Sequence, residues 1–327
     1  FEALEKRLQL SFVPVGDPFV HNDPPLGSDQ AHVRIAASPQ ASQDSFVTVF
    51  ENDGRDGDGL GVFAQIHSAA NVDTIEVNMT TAGDQSQPDV AIFLDGSFVV
   101  TWQGPAISGG AGIDIFFRVF DSDGDPLTAE TRVNTTVTGD QLNPVVAANS
   151  RQTSEFVIAW DGPGTEGRDI FAQFYGDAAA KVGVEQQINT TTAGDQTNPD
   201  ASLADGFSER GIIVWEGPDV SGSGIYAQRV NEQAPDGSEI LVNPFAVNGD
   251  QRDPQVTISN SAAVVSFIGP FDDISGLDGL FGSTIGSDGE TTFVNDFLIS
   301  QGGANPIGGH DVALVEQGAD LQMVFGW

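Results

Sequence analysis

The chain contains no cysteine. That excludes disulfides, thiolate catalysis and Cys-ligated zinc, and it leaves the compartment open. Basic residues are scarce too. Twelve Lys and Arg stand against 47 Asp and Glu, a net charge of −35, and the only lysines are Lys6 and Lys181. Such a surface repels phosphate backbones, which excludes nucleic acid as a partner. It also repels its own copies at low ionic strength. Screening shortens that repulsion to about 8 Å at physiological salt, so a saline or calcium-containing setting is expected, with plain solubility as the bland alternative. No apolar run approaches 18 residues, so membrane insertion is not expected. The first residues show no apolar signal core, so the expected extracellular or cell-surface location assumes a signal removed before Phe1. The four histidines, His21, His32, His67 and His310, are scattered without metal-ligand spacing. No G-x-S-x-G elbow occurs.

What the chain does have is one phrase repeated. Residues 78–85 read NMTTAGDQ, 134–141 read NTTVTGDQ and 189–196 read NTTTAGDQ, with looser copies at 22–30 and 243–251. The anchors Asn22, Asn78, Asn134, Asn189, Asn243 and Asn295 are spaced by 56, 56, 55, 54 and 52 residues. A fixed period of this size marks a repeat architecture. Within 134–189, GDQLNP is turn chemistry, because Gly139 permits positive φ and Pro144 halts any helix. PVVAANS, EFVIAW (155–160), IFAQFY (170–175) and GVEQQIN (183–189) then read as four short strands, with DGPGTEGRD as a loop. Four strands per repeat and no helical periodicity predict propeller blades. The second strand ends on a large aromatic in each copy: Phe50, Trp102, Trp160, Trp215, Phe267 and Trp327. Packing between sheets is the expected role of these rings. A buried aromatic removes about 150–250 Å² from water.

The sixth copy stops at Trp327 after its second strand, and LQLSFVPV (8–15) and DPFVHN (17–22) carry the missing text. The predicted fold is therefore all-β: a six-bladed β-propeller of four-stranded antiparallel blades, the last completed by N-terminal strands. The expected blades are 23–78, 79–134, 135–189, 190–243, 244–295, and 296–327 plus 8–22, with 1–7 as a tail. A ring needs such a splice because two sheet edges otherwise stay unpaired. The same N-terminal strands could instead complete a neighbouring molecule's blade.

The wording N-T-T-x-G-D-Q-x-x-P, then D-G-x-F-V-V-x-W, then G-I-F-A-Q-R-F, resembles the tandem repeats of large secreted and surface bacterial proteins. The resemblance covers roughly residues 23–327 and implies export and a propeller-like fold, without one agreed activity. FEALEKRLQLS at the N-terminus resembles the leader-adjacent motif of planctomycete exported proteins, with Lys6 and Gln9 as departures.

Calcium is the expected small ligand. ENDGRDGDG places Asp53, Asp56 and Asp58 on one glycine-rich loop, and DSDGD places Asp121, Asp123 and Asp125 together. Hard cations want several oxygens on a flexible loop. For DSDGD a hairpin turn is the competing reading. Asp272, Asp273 and Asp278 form a third cluster. Asp29, Asp84, Asp140, Asp195 and Asp250 recur once per repeat, as do Gln85, Gln141, Gln196 and Gln251. These read as structural: an Asx-type turn fixing each crossing, with Gln bridging to the next blade. Asn78, Asn134 and Asn189 sit in N-x-T sequons and read as turn residues rather than glycan acceptors.

No catalytic residue stands out, and the leading functional expectation is a non-enzymatic surface propeller. It would serve a filament, coat or adhesive layer, with copies of itself or other surface proteins as partners. A glycan-binding module is the second reading, with glycans as partners. A polysaccharide hydrolase or lyase is the third, because the carboxylates are too numerous to single out a pair.

Overall fold

The computed structural model describes residues 30–38, 45–68, 71–107, 112–149, 155–203, 211–231, 234–243, 249–258, 262–270 and 278–286, together with the backbone of three later strands. The fold is all-β, and among the described residues the only helical turn is a 3-10 turn at Asp177–Ala179. The first sheet holds β1 (Gln30–Ala37), β2 (Phe46–Asp53), β3 (Leu60–His67) and β4 (Val72–Glu76). The second holds β5 (Ser86–Ile92), β6 (Phe98–Pro105), β7 (Ile113–Phe120) and β8 (Thr131–Arg132). The third runs from β9 (Leu142–Ala148) through β10 (Phe156–Pro163) and β11 (Arg168–Tyr175) to β12 (Lys181–Gln187). The fourth comprises β13 (Thr197–Leu203), β14 (Gly211–Pro218), β15 (Ser223–Asn231) and β16 (Ala234–Leu241). The fifth comprises β17 (Arg252–Ile258), β18 (Ala262–Pro270), β19 (Asp278–Gly286) and β20 (Phe297–Gln301). A two-stranded sheet of β21 (Asp311–Gln317) and β22 (Asp320–Gly326) follows.

Every pairing of these strands is antiparallel between sequence neighbours, and the first strands of successive sheets lie side by side from β1 to β21. The sheets therefore stand as blades around a common axis, the β-propeller arrangement. The first four sheets fall within the blade limits expected from the sequence. The fifth does not: β20 pairs with β19 beyond Asn295, so that boundary is corrected to Gln301. Residues 1–29, Asn295 and Trp327 lie outside the described residues, and with them the expected N-terminal splice, the tail and Asp29.

The core lies between blades. Trp102, Trp160 and Trp215 are fully buried, as are Phe50 and Phe267. Each ring stacks on the aromatic directly across the hairpin. The pairs are Phe50 with Phe63, Trp102 with Phe116, Trp160 with Phe171, Trp215 with Tyr226 and Phe267 with Phe281. The first four share a centroid separation of 6.2 Å. Buried indoles need a hydrogen-bond acceptor. Gln141 Oε1 accepts from Trp160 Nε1 at 3.0 Å, and Gln196 Oε1 from Trp215 Nε1 at 2.9 Å. These two glutamines tie their crossings to the blade about to begin, whereas Gln85 and Gln251 accept from the anchors Asn78 and Asn243 within the crossing, at 3.0 and 2.6 Å.

The crossings are built on the anchor asparagines. Asn78, Asn134, Asn189 and Asn243 are buried, and the Oδ1 of each accepts from a strand-three N–H: Val62, Ile115, Ile170 and Ile225, at 2.7–2.9 Å. Their Nδ2 groups donate inward, for example from Asn189 to Asp169 Oδ1 at 2.7 Å and to Thr191 O at 2.9 Å. Amides so placed are not glycan acceptors. The repeated aspartates reach back to the blade just completed rather than forming a local Asx turn. Asp84, Asp140, Asp195 and Asp250 accept from Leu60, Ile113, Arg168 and Ser223 N–H, each at 3.0 Å. The preceding glycine is held left-handed, φ +75° at both Gly83 and Gly139, and a Cβ on Gly139 would sit 2.7 Å from Pro163.

A third grip was not foreseen. Glu130, Glu185 and Glu239 each cap the Thr-rich crossing loop before their own blade. Glu239 binds Thr190 N and Oγ1 and Thr191 N and Oγ1, at 2.7–3.2 Å. The signal was an E-x-x-x-N spacing that precedes three of the anchors.

Asn189→Ala leaves the Ile170 N–H, Thr191 carbonyl and Asp169 carboxylate without this partner. We expect a loss of about 2–4 kcal/mol in urea denaturation. Trp160→Ala should cost about 3–5 kcal/mol. Losses under 1 kcal/mol for both would contradict this account of the crossing.

Candidate active site in the central channel

The first strand of each four-stranded sheet carries a bulge at the same place. His32, Gln87, Asn143, Asn198 and Asp253 have φ between +49° and +56°, and the pairing register shifts there in each of the five four-stranded sheets. A left-handed residue and an extra residue define a β-bulge, which bends the strand and re-aims side chains. In four of the five sheets the next residue is proline, whose missing N–H suits a bulge. The expectation that GDQLNP is all turn is corrected accordingly: β9 begins at Leu142, and Asn143–Pro144 is the bulge. Likewise β10 runs on through Asp161-Gly162-Pro163, three residues expected in a loop.

A hydrogen-bonded belt joins the bulges. The polar residue after each buried aromatic accepts the next blade's bulge N–H. Glu51 takes Gln87 N at 2.5 Å, Gln103 takes Asn143 N at 2.9 Å and Glu216 takes Asp253 N at 2.7 Å. Asp161 takes Asn198 N. Asn143 and Asn198 also donate Nδ2 to Asp161 and Glu216, at 2.7 and 3.0 Å. Arg168 neutralises Asp161, and His32 Nδ1 lies 2.9 Å from Glu51. In the fifth blade the residue in this place is Ile268. Burial raises the pKa of both Asp161 and Glu216, against opposing hydrogen bonds and cations.

Inside the belt the first strands enclose a cavity of about 660 Å³. β1, β5, β9, β13 and β17 all line it. One residue beyond each bulge proline (Val33 in β1), the aligned positions read Arg34, Asp89, Val145, Asp200 and Gln255. Asp89 Oδ2 accepts from Val146 N at 2.7 Å and Asp200 Oδ2 from Val256 N at 2.6 Å, each on the following blade. Two carboxylates thus sit at one level of the channel, two blades apart, each held by a backbone N–H. Sequence reasoning missed this set. Its signal was a position that fails to repeat inside a frame that does.

The expected metal-binding aspartates sit elsewhere. Asp56 accepts from Asn78 Nδ2 at 3.1 Å, and Asp58 from Gly83 N at 3.3 Å. Asp53 closes β2 opposite Leu60. Asp121 Oδ1 accepts from Asp123 and Asp125 N–H at 3.0 and 2.8 Å, closing the hairpin turn. Asp278 pairs with Arg252, while Asp272 and Asp273 lie outside the described residues. Among the described residues no three His, Asp or Glu side chains converge as a metal-holding group.

No family model matches the chain, and no curated protein does. Solved structures do. A protein of unknown function from Dyadobacter fermentans DSM 18053 is similar with a TM-score of 0.54 at 7% identity, over 83% of each chain. An α-L-arabinofuranosidase from Lactobacillus brevis gives 0.45 at 14% identity, over 74% of this chain and 82% of that one. A thermostable family-43 glycoside hydrolase gives 0.46 at 8%, over 85% and 96%. These likenesses concern the fold alone. The expectation of a non-enzymatic structural module is corrected on this chain's own residues: it assumed that no singular constellation exists, and Arg34, Asp89 and Asp200 form one that occurs once among the described residues rather than per blade.

The raised pKa of Glu216 fixes a sign. A carboxylate whose folded pKa exceeds its unfolded value contributes stability below the ordinary carboxylate range, and that contribution is lost as pH rises through the folded pKa. Glu216→Gln keeps an acceptor oxygen for Asp253 N. The Tm of this variant relative to wild type should therefore be higher at pH 7 than at pH 4, and a difference independent of pH would contradict the assignment.

Proposed function

We propose that the protein hydrolyses glycosidic bonds of a polysaccharide in its central channel, with Asp89 and Asp200 as the working carboxylates. One observation carries this reading. Two carboxylates from non-adjacent blades share one level of a cavity large enough for a saccharide, each anchored through Oδ2 by a neighbouring N–H. Glycoside hydrolysis needs two carboxyl groups flanking the scissile bond, one to deliver a proton to the leaving oxygen and one to activate water or attack the sugar. Backbone N–H donation to one oxygen fixes each rotamer and leaves the other oxygen for the sugar. The belt outside the pair keeps the strands, and so the pair, at a set separation. Enzymes named for arabinan-type and other glycosidic substrates occur among proteins of similar fold, which is consistent with the reading and does not carry it.

Reducing-sugar release from a panel of plant and algal polysaccharides tests it. Wild-type protein should turn over at least one polymer. Asp89→Asn and Asp200→Asn retain an oxygen for the Val146 and Val256 N–H groups, so both should fold, while activity falls about 10²–10⁴-fold. Full activity in either variant, or no turnover by wild type across the panel, would refute the proposal.

A further inference from the structure

Arg34 stands at the channel level of Asp89 and Asp200, on β1. Among the described residues every other guanidinium is engaged. Arg55 lies over the Phe63 ring at 4.7 Å, Arg118 donates to Val77 O at 3.1 Å and Arg229 to Gly286 O at 2.5 Å. Arg132, Arg168 and Arg252 pair with Asp114, Asp161 and Asp278. The described lysine, Lys181, donates to Val133 O at 2.7 Å. Arg34 alone of these cations has no described partner, although the chain carries 47 acidic residues. It is also exposed along with its neighbours on β1, so no packing role accounts for it.

We infer that Arg34 is a specificity residue that pairs with an anionic group on the saccharide, a uronate carboxylate or a sulfate ester. The inference rests on the channel being a saccharide site. A guanidinium is a planar fork that matches the two oxygens of a carboxylate or sulfate, and it is charged at every working pH. The protein's net charge of −35 opposes the approach of a polyanion. That opposition is confined to about 8 Å at physiological salt, so at contact the local guanidinium decides. Asp89, Asp200 and Asp253 line the same channel, which restricts the accepted anion to the Arg34 side. The predicted substrate is thus a polymer in which charged residues alternate or mix with neutral ones, with the charged sugar beside β1.

Binding is measured by calorimetry at physiological ionic strength, on wild type and Arg34→Gln, with three probes: an aldotriouronic acid carrying one uronate on two neutral sugars, a monosulfated galactan tetrasaccharide and neutral arabinotriose. Wild type should prefer one anionic probe over arabinotriose by roughly tenfold or more, and which one it is separates carboxylate from sulfate. Arg34→Gln should abolish that preference. Equal binding of all three by wild type, binding of none, or a preference that survives Arg34→Gln would overturn the inference. Hydrolysis is scored separately on the same probes. Preference without hydrolysis would remove the proposed reaction and keep the Arg34 assignment, and hydrolysis without preference would do the reverse.

Discussion

One buried carboxamide at each blade crossing constrains the whole molecule. The anchor asparagine holds a strand-three N–H with its oxygen and the crossing chain with its nitrogen, as Asn189 does with Ile170 and Thr191. A buried amide that lost either partner would bear a desolvation cost that its neighbours could not offset. The crossing therefore has one length and one direction. With the aspartate reaching back to the blade just finished, and with Gln141 and Gln196 reaching forward to Trp160 and Trp215, each blade is oriented by the last. The 54–56-residue spacing of the middle anchors is the chain length that this geometry requires.

That constraint explains why function sits where it does. Crossings, second-strand ends and first-strand starts all meet at one end of the blades. The bulges are there, and so is the belt of Glu51, Gln103, Asp161 and Glu216. Two of those acids are pushed by burial toward their protonated form, which is a standing cost. Their hydrogen bonds to bulge N–H groups offset it by fixing strand-to-strand position. Rigidity at this end lets the positions just inside it vary. Arg34, Asp89, Val145, Asp200 and Gln255 occupy equivalent places with unlike chemistry, and that asymmetry makes a site out of a repetitive scaffold.

Much of the fold was legible because it repeats. The four-strand rhythm follows from period and residue type, and the structure bears it out; Trp102, Trp160 and Trp215 lie buried in their repeated slot and Gly139 is left-handed. What was illegible had no local signature. Asn143 looks like a turn residue in sequence, and only its pairing with β10 shows a bulge. Asp161 looks like the start of a Gly/Pro loop, and only its burial shows a strand. Glu185 caps Thr135 from 50 residues away, and its E-x-x-x-N spacing marks a repeated position without naming that partner. The candidate site was hidden for a further reason. Searching for a conspicuous cluster directs attention to acid-rich loops such as 51–59, whereas Asp89 and Asp200 are 111 residues apart in sequence and come together only through the ring. Comparing the repeats column by column, and asking where they disagree, would have found them.

The central claim is that the channel between the first strands receives a saccharide across Asp89 and Asp200. A crystal structure of the Asp200→Asn protein soaked with an oligosaccharide tests it most directly. The account predicts sugar density inside the channel, with a glycosidic oxygen between residues 89 and 200 and an anionic substituent beside Arg34. Saccharide density confined to the outer strands, with the channel holding only water at saturating ligand, would contradict it.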